Sequence, residues 1–449
     1  MARNRHTHLE AWDAMPDFYC SSRTSSLVRR SSHGPRLGAS PCLLMHSVRR
    51  PLWVSNRSVP HSSCRSSSPL CSAQFDKGDA LPDRVVSAAL TQLCLVGPDA
   101  LTIEAIAERA HVSAGFIYKH FGSLSNVLRN ALLDGLSAHL AAIPREGPLT
   151  AGLLLEMSTH DHDRLPLEAI LSLRRFPEIR EIVGPATTAL VERIGPMRSC
   201  VVFGCHAVAI AGVSPTESDV TALIALEYRI QGGDIRNVES VAPEESVGDL
   251  SIPHPPPLRN DPTTVRLRAA ASQLLTETAG QATIRDIATK AGVSTGAVYR
   301  RYESKDDLIG DTIQARVTED RTTWLMDFFE VLTNPGTGDP ARVLSDVLAE
   351  ASETTKASTR ESIELLISAR GGPAARMALA GRYTSAIATR TAQLTRFRGS
   401  ALMRHEDSPA ALAWAFQVVP MGARILGLAT QMPDSTGWYP SMVSLLRAL

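Results

Sequence analysis

Apolar residues recur at helical spacing through most of the chain beyond residue 78, and one such pattern occurs twice. Residues 101–132 read LTIEAIAERAHVSAGFIYKHFGSLSNVLRNAL, and residues 282–313 read ATIRDIATKAGVSTGAVYRRYESKDDLIGDTI. Aligned without a gap at an offset of 181, ten of the 32 positions are identical. A repeat of this length marks a duplicated structural unit. In the first copy Ile103, Ile106, Ala107 and Ala110 fall at i, i+3, i+4 and i+7, one face of a short helix; Ile284, Ile287, Ala288 and Ala291 repeat it. Thr102 and Thr283 precede that face, where a hydroxyl can accept from open helix N–H groups. Asp286 completes a near capping box in the second copy, where the first has Ala105. Gly292 supplies the left-handed residue that closes the second helix, and His111 must do the same in the first. Ser113 and Ser294 then begin another short helix, carrying Tyr118-Lys119 or Tyr299-Arg300. Two helices joined by so short a turn form a helix-turn-helix, whose second helix enters the DNA major groove.

The flanking pattern extends each unit. Val86, Ala89, Leu90, Leu93 and Cys94 form an apolar stripe ending at Gly97-Pro98, and Leu267, Ala270, Ala271, Leu274 and Leu275 form its counterpart. Each stripe predicts a first helix that packs on the helix-turn-helix and completes a three-helix domain. Further helices are expected near 149–158, 165–174, 186–195 and 216–231, and near 305–331, 340–353, 359–370, 373–396, 408–430 and 438–448, separated by Gly and Pro. Residues 232–262, with several acids and Pro253, Pro255, Pro256 and Pro257, read as a linker.

Both repeats resemble the DNA-binding domain of the tetracycline-repressor (TetR) family of bacterial transcription regulators. The motifs that carry the likeness are Thr-Ile-x-x-Ile-Ala, Val-Ser-x-Gly, Tyr-x-x-Phe/Tyr and the Ser-Lys-Asp-Asp-Leu run at 304–308, and it extends back over 84–96 and 265–277. The first copy departs where Leu124 replaces the lysine that opens the fourth helix (Lys305 in the second), which weakens one expected phosphate contact. The resemblance implies an all-α chain of two fused TetR-like units, each a three-helix DNA-binding domain followed by a helical ligand-binding and dimerisation domain. The expected boundaries are a disordered Arg/Ser-rich arm (1–77), DNA-binding domain 1 (78–140), regulatory domain 1 (141–235), a linker (236–260), DNA-binding domain 2 (261–318) and regulatory domain 2 (319–449). The helices near 408–430 and 438–448 match where relatives place their dimerising pair.

The DNA-facing candidates in the first copy are Thr102, Ser113, Ala114, Gly115, Phe116, Tyr118, Lys119 and His120. In the second they are Thr283, Ser294, Thr295, Gly296, Ala297, Tyr299, Arg300 and Arg301, with Lys305 as a phosphate donor on the next helix. Gly115 lets the backbone come close to DNA, while Tyr118 and Lys119 can reach phosphates or a guanine edge. Phe121 reads as a core aromatic; Arg84 reads equally as a phosphate contact or a solvated charge. The copies differ at Ala114/Thr295, Phe116/Ala297, Lys119/Arg300 and His120/Arg301, so the operator is expected to carry two unlike half-sites. The implied partners are a double-stranded DNA operator, an unidentified small-molecule effector, and the other half of the same chain or a second copy. In the alternative reading only the second helix-turn-helix reads DNA, and the first half is a ligand-sensing or protein-interaction module, because Leu124 and His111 break the pattern.

Composition sets limits on this picture. Formal net charge is zero, with 46 Lys+Arg against 46 Asp+Glu, so any basic surface must be local. Residues 1–75 hold ten arginines, clustered serines and only three acids (Glu10, Asp13, Asp17), a composition of low order. That arm reads as inert or as an over-extended gene start, as a DNA-affinity arm, or as a targeting segment. The seven cysteines include no CxxC pair, which points to reduced thiols; Cys200 and Cys205 read as buried. His160-Asp161-His162-Asp163 is the one dense group of metal-capable side chains, and consecutive residues rarely converge on one ion. Trp324, Phe328, Phe329, Trp414 and Phe416 are core aromatics or the lining of a ligand cavity. No Gly-rich phosphate loop, GxSxG elbow or HExxH motif occurs, and no cofactor or enzymatic activity is expected. No run of 18 apolar residues is present, so the expectation is a soluble, cytoplasmic protein without a membrane partner.

Overall fold

The computed structural model describes residues 80–142, 164–213, 261–319, 338–396 and 408–448, with a few single positions between them. Every element among the described residues is a helix. The arm 1–77, the expected helix at 149–158, most of the expected helix at 216–231 and of the linker, the His160–Asp163 group, Trp324 and Phe329 lie outside the described residues.

Each three-helix domain forms as its pattern dictates. In the first, α1 (Leu81–Val96) packs on α2 (Ile103–Ala110) and α4 (Leu124–Ala142), with α3 (Ala114–Phe121) between the latter two. The α1 stripe runs through Val85, Ala88, Ala89, Leu90, Leu93 and Cys94; Val86 is only half-buried, so the buried face is rotated slightly from the expected one. In the second domain, α8 (Pro262–Glu277) buries all five expected positions against α9 (Ile284–Lys290) and α11 (Lys305–Glu319), and α10 (Thr295–Tyr299) is the short fourth element.

The first half continues with α5 (Leu165–Ser172), a tight turn at Pro177–Ile179, α6 (Arg180–Ile194) and α7 (Pro196–Ile210). Helix α6 begins ahead of the expected 186–195. Pro185 lies inside it, where it removes one backbone hydrogen bond and crowds the preceding turn, so the helix carries a proline that the sequence pattern reads as a boundary. Helix α7 has no counterpart among the expected helices. The second half holds α12 (Pro340–Ser352), α13 (Ala357–Gly371), α14 (Pro373–Thr395), α15 (Pro409–Leu426) and α16 (Ser435–Ala448), each within a few residues of expectation.

The two halves meet where α7 crosses α15. A methyl placed on Gly204 would lie 2.5 Å from the Val418 carbonyl carbon, and one on Gly422 would lie 2.6 Å from that of Cys200. The contact is reciprocal: Gly204 and Cys200 in one helix meet Val418 and Gly422 in the other. Such self-complementary exchange is the signature of a two-fold interface, here formed within one chain. Helix α6 extends it, with Arg180 Nη1 donating to the Leu428 carbonyl (2.7 Å) and Thr188 bonded to Thr430 through their hydroxyls (2.7 Å). Helix α16 does not join the crossing. It packs on α12, and Tyr439 Oη donates to Asp339 (2.6 Å).

Helix α15 is long and apolar enough to cross a membrane by length and composition, but 72% of it is buried inside the protein, as a core helix should be. Cys94, Cys200 and Cys205 are buried and outside any disulfide, and burial pushes Cys205 up to about 12 and Cys200 higher still. Phe328 and Phe416 pack edge to face in the core at 5.6 Å, beside buried Trp414.

Candidate nucleic-acid interface

The recognition helices are held by local chemistry that repeats between the copies. Thr102 Oγ1 accepts from the Ala105 N–H (3.1 Å). Thr283 accepts from the Asp286 N–H (3.3 Å) while the Asp286 carboxylate accepts from the Thr283 N–H (2.7 Å), a complete capping box. Hydrogen bonds from Thr283 hold the Asp286 carboxyl below its usual range. The turn after each first helix is left-handed, at His111 (φ 53°) and at Gly292 (φ 66°). Histidine therefore supplies the geometry that glycine supplies in the other copy, although a side chain there is strained. Arg84 supports it: its Nη2 donates to the Ala110 carbonyl (2.6 Å), and Val265 stands at the matching position of the second copy. Arg84 is thus a brace within the domain rather than a phosphate contact. Ser113 and Ser294 cap the recognition helices, accepting from Phe116 N (3.1 Å) and Ala297 N (3.2 Å).

Beyond the caps the two faces can be compared position by position. Tyr118 is 53% exposed and Tyr299 60%, which excludes a core role for either ring. Lys119, His120, Arg300, Ser113, Gly115, Ser294, Thr295 and Gly296 are also exposed, as are Thr102 and Thr283 at the preceding caps. Ala114 and Phe116 are half-buried, with Phe116 stacked on His120 at 4.1 Å. A Cβ on Gly115 would find nothing nearer than Ser113 Oγ at 3.8 Å, and Gly296 has the same surroundings with Ser294. Neither glycine has positive φ. The fold itself gives no reason for glycine at these positions, which leaves close approach by something outside the chain. Phe121 packs against the core, as expected.

Three expected contacts in the second copy are not presented. Ala297 is 8% exposed, its methyl packed inward on a helix only five residues long. Arg301 turns back, donating to the Ala297 carbonyl (3.1 Å) and to the Asp261 cap of α8 (3.1 Å). Lys305 Nζ donates to the Gly280 carbonyl (2.6 Å). Burial lowers the Lys305 pKa, offset in part by Asp99 and Asp286 nearby. Leu124, its counterpart, is half-buried against the core. The Leu124/Lys305 difference is therefore one of internal packing, and it leaves each copy with a tyrosine and an adjacent cation on the open face.

Two helix-turn-helix units with exposed tyrosine–cation pairs on their second helices define a DNA-binding protein of the helix-turn-helix class. Residues 85–129 and 267–312 each match the family model for bacterial regulatory proteins of the tetR family. The chain thus carries two tandem N-terminal domains of the TetR family, a family of DNA-binding transcriptional regulators that typically dimerise. No curated protein matches the chain.

Proposed function

We propose that this chain regulates transcription by binding an operator through both helix-turn-helix units at once, as an intramolecular pseudo-dimer. The observation that carries this reading is the reciprocal crossing of α7 and α15, because it joins the halves as a homodimer's subunits would be joined. Recognition helices related in this way enter successive major grooves about 34–36 Å apart. Tyr118 and Lys119 serve one half-site, and Tyr299 and Arg300 the other. Because the two faces differ, the half-sites differ. The regions 141–235 and 319–449 act as regulatory domains in which a small-molecule effector shifts the spacing of the heads and releases DNA, which makes the protein a repressor. What supports this reading over one in which only the second unit binds DNA is that His111 adopts the required geometry and that Lys305, at the position of Leu124, donates to the Gly280 carbonyl.

The test is the mass of the full chain bound to a duplex selected from a random pool. One chain per duplex with an asymmetric site is expected. Two chains per duplex on a perfect palindrome would reject the pseudo-dimer.

A further inference from the structure

A second repeat lies between the two regulatory halves, at a different offset from the first. Residues 167–174 read LEAILSLR and residues 363–370 read IELLISAR, 196 positions apart. They share Glu168/Glu364, Ser172/Ser368 and Arg174/Arg370, and the apolar positions between them are buried in both. The shared charges pair across the halves: Arg370 Nε lies 3.1 Å from Glu168 Oε1, and Arg174 pairs with Glu364. First-half glutamate meets second-half arginine, and first-half arginine meets second-half glutamate. This is the same reciprocal exchange seen at the glycine crossing. The carboxylates are buried, Glu168 at 0% exposed and Glu364 at 1%. Two carboxylates and two guanidiniums thus form a reciprocal charge box between the halves. Separating the pairs would leave charges stranded in a low dielectric.

The box also touches both DNA-binding domains, and at matching places. Arg370 Nη2 donates to the Cys94 carbonyl near the C-terminal end of α1. A methyl on Gly97, in the turn between α1 and α2, would lie 2.9 Å from Arg370 Cγ and 3.6 Å from Glu168 Oε2. On the other side, a methyl on Gly280, in the turn between α8 and α9, would lie 3.5 Å from Glu364 Oε2. Both turns need glycine's freedom, with φ of +74° and +77°. Arg175, beside the repeat, donates to the Pro98 carbonyl (2.7 Å). Each recognition helix packs on the helix that follows this turn, α2 or α9, so the box grips both heads at their roots.

We propose that Glu168, Arg174, Glu364 and Arg370 are positioning residues that fix the distance and rotation between the two recognition helices, and thereby the half-site spacing the protein accepts. This rests on the reading that both heads bind DNA. A base pair inserted between half-sites moves one head about 3.4 Å along the duplex axis. Where geometry forbids simultaneous engagement, the gain from the second head, roughly 100-fold or more, is lost.

The experiment measures the affinity of the full chain for its selected duplex and for versions with one or two base pairs added to or removed from the spacer. Wild type is expected to lose roughly tenfold or more per inserted base pair. Arg370→Met, and the charge-neutral pair Glu168→Gln/Arg370→Met, which serves should the single change fail to fold, are expected to flatten the profile to within about threefold. The exchanged pair Arg174→Glu/Glu364→Arg restores a narrow profile relative to either single change. Folded variants that keep the wild-type profile overturn the proposal alone. A wild-type chain that binds every spacing equally, or that loses no affinity on Tyr118→Ala, overturns the two-head reading and the proposal with it.

Discussion

Replacing Gly204 by Ala places a methyl inside the helix crossing. That carbon would sit 2.5 Å from the Val418 carbonyl carbon, with the oxygen closer still, and a backbone atom in a packed helix cannot rotate away. Ordinary carbon contacts need about 3.5–4.0 Å, so α7 and α15 must part by about 1 Å. A gap of that size forfeits roughly a quarter to a half of the dispersion energy of each contact it opens. Overpacking of a core typically costs about 1–3 kcal/mol, and a backbone obstacle puts this case near the top of that range. Alanine regains about 1 kcal/mol over glycine in a helix interior, which leaves a net loss of about 2 kcal/mol. Gly422→Ala meets Cys200 in the same way and should lose as much. Both substitutions act on one crossing, so once the helices have parted for the first methyl the second finds room. The double variant should therefore lose well under the sum, about 1–2 kcal/mol in total. Urea unfolding of the full chain followed by far-UV circular dichroism measures all three. Gly381→Ala in α14, with nothing within 4 Å of the added carbon, serves as the control and should be neutral or stabilising. Single variants within about 0.5 kcal/mol of wild type, or losses that simply add, would refute the shared crossing.

Gly115→Ala and Gly296→Ala should leave stability unchanged or raise it by up to about 1 kcal/mol, because the added carbon is unobstructed, yet weaken DNA binding. Gel shift and thermal melts together read both effects, and unchanged affinity would remove the external-approach argument. Tyr118→Ala and Tyr299→Ala should each weaken operator binding while moving the melting temperature little, given the exposure of both rings; a large loss of stability would mark them as packing residues instead. Burial raises Glu364 from its ordinary 4.5 to about 7, against the pull of Arg174 and with help from Asp99. The folded state therefore binds more protons than the unfolded chain between those values. Relative to Glu364→Gln, wild type should lose stability as pH rises from about 4.5 through about 7, by at most about 3 kcal/mol. Unfolding free energies of both proteins at pH 5 and pH 8 check this, and a difference that grows in the opposite direction would contradict it.

What could be read from the sequence was what short-range chemistry decides. Thr102, Thr283, Ser113 and Ser294 cap their helices because a hydroxyl three residues upstream of an open N–H has few better choices. The two apolar stripes of α1 and α8 were legible because one side of each helix faces solvent. Helix α7 was not, because residues 199–208 are buried on every side and a helix apolar all round shows no periodicity. The charge box escaped for a different reason. Its two copies lie 196 positions apart rather than 181, and the ion pairs join residues 190 and 202 positions apart, for which spacing along the chain gives no cue. At the interface itself, exposure of Tyr118 and Tyr299 matched expectation. The inward turn of Arg301 and Lys305 depended on Asp261 and Gly280, partners outside the recognition helix.

The glycine crossing has a consequence for how the regulator lives in a cell. A homodimer forms by encounter, so its assembly weakens on dilution and its subunits can be exchanged for those of a relative. Here the mating surfaces are tethered in one polypeptide, and their union is first order. On the pseudo-dimer reading, scarcity does not dissolve it and no foreign subunit is drafted into it. On the two-head reading proposed above, a mutation in one recognition helix changes one half of the target and leaves the other intact. Two readers held in one chain, as proposed, are free to change separately where symmetry would have forced them to evolve in step.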